Sequence, residues 1–410
     1  MTPARQDAFD VAVVTSATLP WRTGPAFLTL WYACGLAEMG LRTCLVVPWL
    51  PPAQQALIWE GERFAEPADQ ARWLAEEADR LGCPPLPEVR FYPGRYYPSL
   101  RSILPLQDVF GSVPPARVLV LGEPEHLCWN VRTRRRAQIM AEKVVGVVMT
   151  NYDAYARNSG WPAARAWASL LNRINRHAMR TRTDLLVPLS PAIDLSDLGH
   201  PVAAGARVTG VLPAYAAVPP VAEGCRGIYF LGRLVWDKGL ASVIEIACRT
   251  GYPIDVYGYG QDSAAIEAEA VRRNAPIRFM GPTASPWEWL PDYRVYLNPA
   301  VSEVLTTAAA DALVAGRHAV LPRCPANQPF LRYRNVHAYD TLDSAIAALK
   351  TAMMTKPALP QDIRHDFDWR NACRNLAALW EQAEGPGRPV SPVPAKPSHD
   401  DGGGYGRAPS

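Results

Sequence analysis

The residues best suited to chemistry lie in one stretch, Asn298 to Gly316, which reads NPAVSEVLTTAAADALVAG. Glu303 falls in a loop after an extended VYLNP, and Asp311 falls in the apolar run that follows. Standing at i and i+8, the two acids are about 12 Å apart if the stretch between them is helical. Thr306 and Thr307 sit where loop turns into helix. The free backbone N–H groups and positive dipole end of a helix start attract an anion such as a diphosphate. Two acceptors bracketing an anion site along one axis fit an elongated ligand, and a nucleotide-sugar has that layout. A second set of charges, Arg233 and Lys238 in GRLVWDKG, follows another extended run. Together they can neutralise a diphosphate leaving group without a metal, although either alone would read as a surface charge. Gly258 and Gly260 in VYGYGQD mark a place where backbone passes close to something. No Asp-x-Asp pair stands at a strand end, so no catalytic metal and no cofactor is expected.

These residues need a scaffold that presents loops at strand ends. FDVAVVT, a turn-prone SATLPWRTG, the helical-period PAFLTLWYACGLAEMG and the buried-type RTCLVVPWL give a βαβ unit within the first fifty residues, hence a parallel sheet with ligands at its C-terminal edge. Gly24 in the first loop reads either as close backbone approach to a ligand or as a turn. The loop lacks G-x-G-x-x-G, which argues against a nicotinamide or flavin enzyme. Residues 53–80 read as polar helix, and PPLPEVRFYPGRY holds a short strand. RVLVLGEPEHLCW and KVVGVVMTNY are further strand-to-loop units. They place Glu123, Glu125 and His126 on one loop, and Asn151 and Tyr152 on the next. The Pro-rich stretch near 211–224 interrupts the pattern, after which strand and helix alternate again to about 384. The expected architecture is α/β with two successive domains, 1–215 and 216–384. The last helix, 369–384, is free to cross back to the first domain, and 385–410 is a Pro-, Gly- and Ser-rich tail expected to be disordered.

The 410 residues carry a formal net charge of only +3, too little to argue for nucleic acid without local clustering. Clustering occurs between Ala154 and Thr183, where six arginines including Arg165, Arg173 and Arg176 alternate with Trp161, Trp167, Leu170, Leu171 and Ile174, without one acid between Ala154 and Thr183. That pattern fits a helix lying on an anionic membrane surface and equally a domain-packing helix with a solvated basic face. RTRRR at 132–136 adds a second basic cluster, but no nucleic-acid-binding motif accompanies either. Eight scattered cysteines without a C-x-x-C pair fit reduced thiols. No apolar leader and no run of about 18 apolar residues is present, so the expected location is cytoplasmic with peripheral membrane association.

Arg233, Lys238, the YGYG loop, the NPAVSE lead-in and the spaced acids Glu303 and Asp311 resemble the donor half of a retaining GT-B glycosyltransferase of family 4. In the other half, VTSATLPWRTGPA, LVVPWL, FYPGRYYPSLRSILP, LGEPEHLCWN and VVGVVMTNYDAY resemble digalactosyldiacylglycerol synthases, in unbroken order from about Phe9 to about Glu384. The resemblance implies a GT-B fold, two Rossmann-like domains facing a central cleft. It implies transfer of galactose from UDP-galactose to a glycosyldiacylglycerol acceptor, monogalactosyldiacylglycerol, with retained configuration. By that analogy Arg233 and Lys238 bind the diphosphate, Glu303 touches the donor hexose and Asp311 holds the ribose hydroxyls. Thr306 and Thr307 hold the distal phosphate, Gly24 closes the phosphate site from the first domain, and His126 lies near sugar or acceptor, with Glu125, Asn151 and Tyr152 on the acceptor side. Two departures stand out: Asp311 where the family usually has Glu, and Met149 where it tends to have His.

Overall fold

The computed structural model describes residues 8–59, 61–98, 100, 102–129, 141–150 and 162–381, with side chains of 162–168 excepted. A seven-stranded sheet holds β1 (Phe9–Thr15), β2 (Thr43–Trp49), β3 (Glu88–Tyr97), β4 (Ser102–Pro105), β5 (Ala116–Gly122), β6 (Lys143–Val148) and β7 (Leu185–Pro188), in the order β4-β3-β2-β1-β5-β6-β7. All neighbours pair in parallel except β3 with β4. Helices α1 (Gly24–Glu38), α2 (Pro52–Ile58), α3 (Pro67–Arg80), α4 (Pro124–Leu127) and α5 (Pro162–Arg182) connect these strands. A second, wholly parallel sheet holds β8 (Gly227–Leu231), β9 (Ile254–Tyr257), β10 (Ile277–Gly281), β11 (Tyr293–Leu297), β12 (His318–Pro322) and β13 (Val336–Tyr339), in the order β10-β9-β8-β11-β12-β13. Its helices are α6 (Pro213–Ala216), α7 (Leu240–Thr250), α8 (Ser263–Arg272), α9 (Pro286–Trp289), α10 (Thr307–Val314), α11 (Leu342–Met354), α12 (Gln361–Asp366) and α13 (Trp369–Glu381).

The near-continuous apolar runs of β1, β5 and β6 follow from burial on both faces. Val11, Val13, Val118 and Val120 join the core under α1, while Ala12, Val14, Leu119 and Leu121 join a second core on the other face. Helix α1 is buried almost all round because it lies between the sheet and α13. The rings of Trp31 and Trp369 meet there with centroids 4.8 Å apart. The Cys373 Sγ of α13 bonds to the Trp31 carbonyl at 3.6 Å. The chain therefore returns from the second sheet to finish on the first.

Two local expectations change. The polar stretch 53–80 is two helices, because α2 ends at Ile58 and a new start comes at Pro67, whose fixed φ suits a first helical turn. The expected short strand is the ten-residue β3: its first half pairs with β2 and its second half, from Gly94, turns to pair with the unforeseen antiparallel β4.

Candidate functional site

In open parallel sheets the ligand crevice lies at the C-terminal strand ends, where the strand order reverses. Here the reversal points are β1/β5 in the first sheet and β8/β11 in the second.

At β8/β11 the two loops meet through charge. Lys238 ends a 3₁₀ turn (Trp236–Lys238) after β8, and its Nζ lies 2.7 Å from Glu303 Oε1 in the loop after β11. Two bonds hold these loops in place. Ser302 Oγ donates to the Asp237 carbonyl at 3.1 Å, and the Trp236 N–H donates to Asp262 Oδ2 at 3.1 Å. Asn298 shapes the start of the Glu303 loop by accepting the Ala300 N–H at 2.8 Å. Arg233 is exposed and makes no ion pair with a described residue. Gly258 adopts φ +129°, and a Cβ there would stand 1.9 Å from the Gly232 carbonyl oxygen. Its close neighbour is thus the backbone of the loop that carries Arg233, which the glycine lets approach.

Helix α10 begins at Thr307, so Glu303 lies outside the helix and Asp311 on it. The loop, not helical rise, sets their separation. Thr307 is exposed at the helix start, whereas Thr306 is buried and donates its hydroxyl to Asn327 Oδ1 at 2.7 Å. Thr306 thus offers backbone rather than a free hydroxyl. Asp311 is half-buried, facing Tyr215 of α6, and burial pushes its carboxyl up to about 7, opposed by the Tyr215 hydrogen bond.

At β1/β5 a buried polar cluster fills the reversal point. Glu123 takes a left-handed conformation, φ +65°, at the mouth of α4, a backbone that disfavours non-glycine residues. Ser16 Oγ, at the end of β1, donates to Glu123 Oε2, and Thr150 Oγ1 donates to Oε1 at 3.0 Å. His126 Nδ1 lies 3.6 Å from Glu123 Oε1 and 3.3 Å from Ser16 Oγ, and its Nε2 lies 3.3 Å from Ser102 Oγ. Burial works against charge on both groups. The pair overcomes it, so the Glu123 carboxyl is lowered and the His126 imidazole raised. Glu125 accepts the Met149 and Thr150 N–H groups on Oε1, at 3.2 and 2.9 Å, and burial lifts its carboxyl to about 7. Gly24 opens α1 with nothing within 4 Å of where a Cβ would stand.

The domains touch beside these groups. Ser190 Oγ, after β7, donates to the Val304 carbonyl, and Val304 packs against the apolar cluster that holds Val148, Met179, Leu186, Ile193, Leu195 and Leu198. Trp287 packs against the main cores of both domains. The Glu303 loop therefore leans on the first domain.

Asn151, Tyr152 and Trp161 lie outside the described residues, as does the tail from 385. Arg165 and Trp167 lie on α5, where side chains are not described. Further along α5, Leu170, Arg173, Ile174, His177 and Arg180 are exposed on one face, while Leu171, Asn175 and Met179 are buried on the other. Arg176 is paired with Asp197 and donates to the Asp194 carbonyl at 3.1 Å, which takes it out of the free basic face. Sequence reasoning missed Ser16, Ser102, Thr150, Ser190 and Tyr215. Ser16 and Thr150 carried a usable signal, since each lies within two residues of the end of a buried strand.

Two facing parallel-sheet domains with loops converging at both reversal points define the GT-B fold. A crystal structure of Anabaena HepE in complex with UDP and glucose aligns with a TM-score of 0.60 at 10% identity, over 91% of this chain and all of that one. In sequence the chain is similar to digalactosyldiacylglycerol synthases. It is 31% identical over 389 residues to digalactosyldiacylglycerol synthase 1, chloroplastic, of Arabidopsis thaliana, covering 89% of this chain and 47% of that protein. It is 29% identical to digalactosyldiacylglycerol synthase 2, chloroplastic, of the same plant, covering 89% and 80%. The chain thus spans about half the length of the type 1 relatives it matches. No family model matches it, and no described helix is long and apolar enough to cross a membrane.

Proposed function

We propose that the protein is a retaining glycosyltransferase that moves galactose from UDP-galactose onto monogalactosyldiacylglycerol, giving digalactosyldiacylglycerol. The observation that carries this is the Lys238–Glu303 pair, 2.7 Å apart at the β8/β11 reversal point and beside the start of α10. One loop then offers cations to a diphosphate while the facing loop offers a carboxylate to a sugar. Arg233, Lys238 and the Thr306 and Thr307 backbone hold the diphosphate, Glu303 takes donor hexose hydroxyls and Asp311 takes the ribose hydroxyls. Residues up to about 215 form the acceptor half, where Gly24 borders the phosphates and Glu125 and His126 flank the acceptor.

In the transfer, the bond from the anomeric carbon to the β-phosphate oxygen breaks and a bond to the acceptor hydroxyl forms on the same face. The acceptor proton passes to the departing phosphate oxygen. Negative charge grows on that oxygen in the transition state, where fixed cations and N–H dipoles act most strongly. No metal enters this scheme. The lipid acceptor gives the exposed face of α5 a role: Leu170 and Ile174, 47% and 45% exposed, enter an anionic interface while Arg173 and Arg180 meet its phosphates. The similarity to a protein solved with UDP and glucose keeps UDP-glucose as the rival donor.

The test supplies purified protein with UDP-galactose or UDP-glucose and monogalactosyl- or monoglucosyldiacylglycerol, and identifies products by mass spectrometry and linkage analysis. Digalactosyldiacylglycerol is expected from the galactose pair; no dihexosyl lipid from any pair refutes the proposal. An unchanged cellular lipid profile with Glu303→Ala would point instead to a non-catalytic lipid-binding scaffold.

A further inference from the structure

Two buried polar atoms near the domain contact have no partner among the described residues. Glu125, 1% exposed, spends Oε1 on two backbone N–H groups, while its Oε2 is unpartnered. Asn175 on α5, also 1% exposed, accepts the Trp129 indole N–H on Oδ1 at 2.7 Å, while its Nδ2 is unpartnered. Both residues line one cavity of about 20 Å³, walled on its apolar side by Val148, Met179, Ile193 and Leu195. A buried acceptor and a buried donor left unpaired are costly, and native interiors rarely keep them so. A hydroxyl group satisfies both, donating its O–H to one and accepting an N–H from the other. The volume admits one water-sized group, so a single hydroxyl fits and a sugar ring stays at the mouth.

We propose that Glu125 and Asn175 form a subsite that receives one hydroxyl of the acceptor's hexose. The inference rests on the transferase reading above and names the residues that would fix the acceptor headgroup. Location favours acceptor over donor. The cavity belongs wholly to the first domain, yet its apolar wall is part of the cluster against which Val304, the neighbour of Glu303, packs. A hexose anchored there would lie next to the loop assigned to the donor sugar. The buried fixings of Glu125 and Asn175 hold the two atoms in place before the ligand arrives, which lowers the ordering cost of binding.

The experiment measures steady-state transfer by the full chain from UDP-galactose to monogalactosyldiacylglycerol in mixed micelles. Glu125→Gln keeps an oxygen for the two backbone N–H groups but turns a donor toward the cavity. Asn175→Asp keeps the bond from Trp129 but turns an acceptor there. Each single change is expected to raise KM for the lipid about tenfold or more, with KM for UDP-galactose and the Kd for UDP within twofold. The double change exchanges donor and acceptor, and a hydroxyl can reverse its direction, so the double variant recovers most of the lost affinity. Ile193→Phe, which fills the cavity from its apolar side, is the second probe if a polar variant melts early; it is expected to raise the same KM. An unchanged lipid KM in folded variants overturns the subsite and marks a water-only cavity, while leaving the transferase reading standing. If the wild-type protein forms no dihexosyl lipid from any donor and acceptor pair, the transferase reading falls and the subsite with it.

Discussion

Replacing Glu303 by Gln should move two measurements in opposite directions. The Glu303 carboxylate lies 2.7 Å from Lys238, the cation proposed for the diphosphate. Unit charges 4 Å apart attract by about 4 kcal/mol at an effective dielectric near 20. The two side chains are 26% and 17% exposed, and solvent screening with side-chain ordering reduces such a pair to about 1 kcal/mol. Glu303→Gln keeps the shape, releases Lys238 and removes a negative charge facing an anion. UDP, which carries no hexose, should then bind about fivefold more tightly. The sugar, which gains positive charge in the transition state, loses there a hydrogen bond to a charged acceptor worth about 1.5–3 kcal/mol, so kcat should fall by about 10- to 150-fold. Titration calorimetry with UDP reads the first effect and a galactolipid transfer assay the second. Weaker or unchanged UDP binding would refute the claim that Lys238 is shared between Glu303 and the diphosphate. An undiminished kcat would remove Glu303 from the donor sugar.

Other consequences follow from the same geometry. Burial lifts the Asp311 carboxyl from an ordinary 3.8 to about 7, so the folded state holds this proton longer than the unfolded chain does. Its contribution to stability is full below about 3.8 and is lost as pH rises through 7. Asp311→Asn should therefore raise the melting temperature at pH 8 and leave it nearly unchanged at pH 4. If ribose hydroxyls donate to Asp311, UDP binding near pH 7 should release a proton, seen as a buffer-dependent calorimetric enthalpy that the same substitution abolishes. On α5, Leu170→Glu with Ile174→Glu should abolish sedimentation with phosphatidylglycerol vesicles, and Arg173→Glu should weaken it. Arg176→Glu should chiefly lower stability, because Arg176 is engaged by Asp197 and Asp194. Trp369→Ala should cost about 3–5 kcal/mol in denaturant unfolding, since the ring is 3% exposed against Trp31. Trp369→Phe should cost less, as the indole N–H has no described partner to lose.

The parts legible in the sequence are those fixed by neighbours along the chain. FDVAVVT and RTCLVVPWL announce β1 and β2 because a strand covered on both faces must be apolar throughout, and Glu303 is found by reading past the end of VYLNP. The strand β4 could not be read this way. SILP is too short to show alternation, and its pairing is decided by where β3 bends at Gly94. Asn175 carried no local signal either, sitting in a basic run whose Arg173 and Arg180 face solvent, and its meaning depends on Trp129 and Glu125, which approach from another element.

The strand order then explains why the readable pieces assemble into one place. Reversal between β1 and β5 brings Ser16 against Glu123, and reversal between β8 and β11 brings Lys238 against Glu303. In each sheet two loops distant in sequence are joined by polar contacts at the crevice. The bond from Ser190 to Val304 sets the two crevices side by side. A lipid headgroup held by the first and a nucleotide-sugar held by the second would meet across Val304. On the proposed function the Glu303 loop would be the shared wall of both half-sites, and a change at Val304 should disturb the lipid and the donor KM together, whereas changes at Glu125 or at Arg233 should each disturb only one.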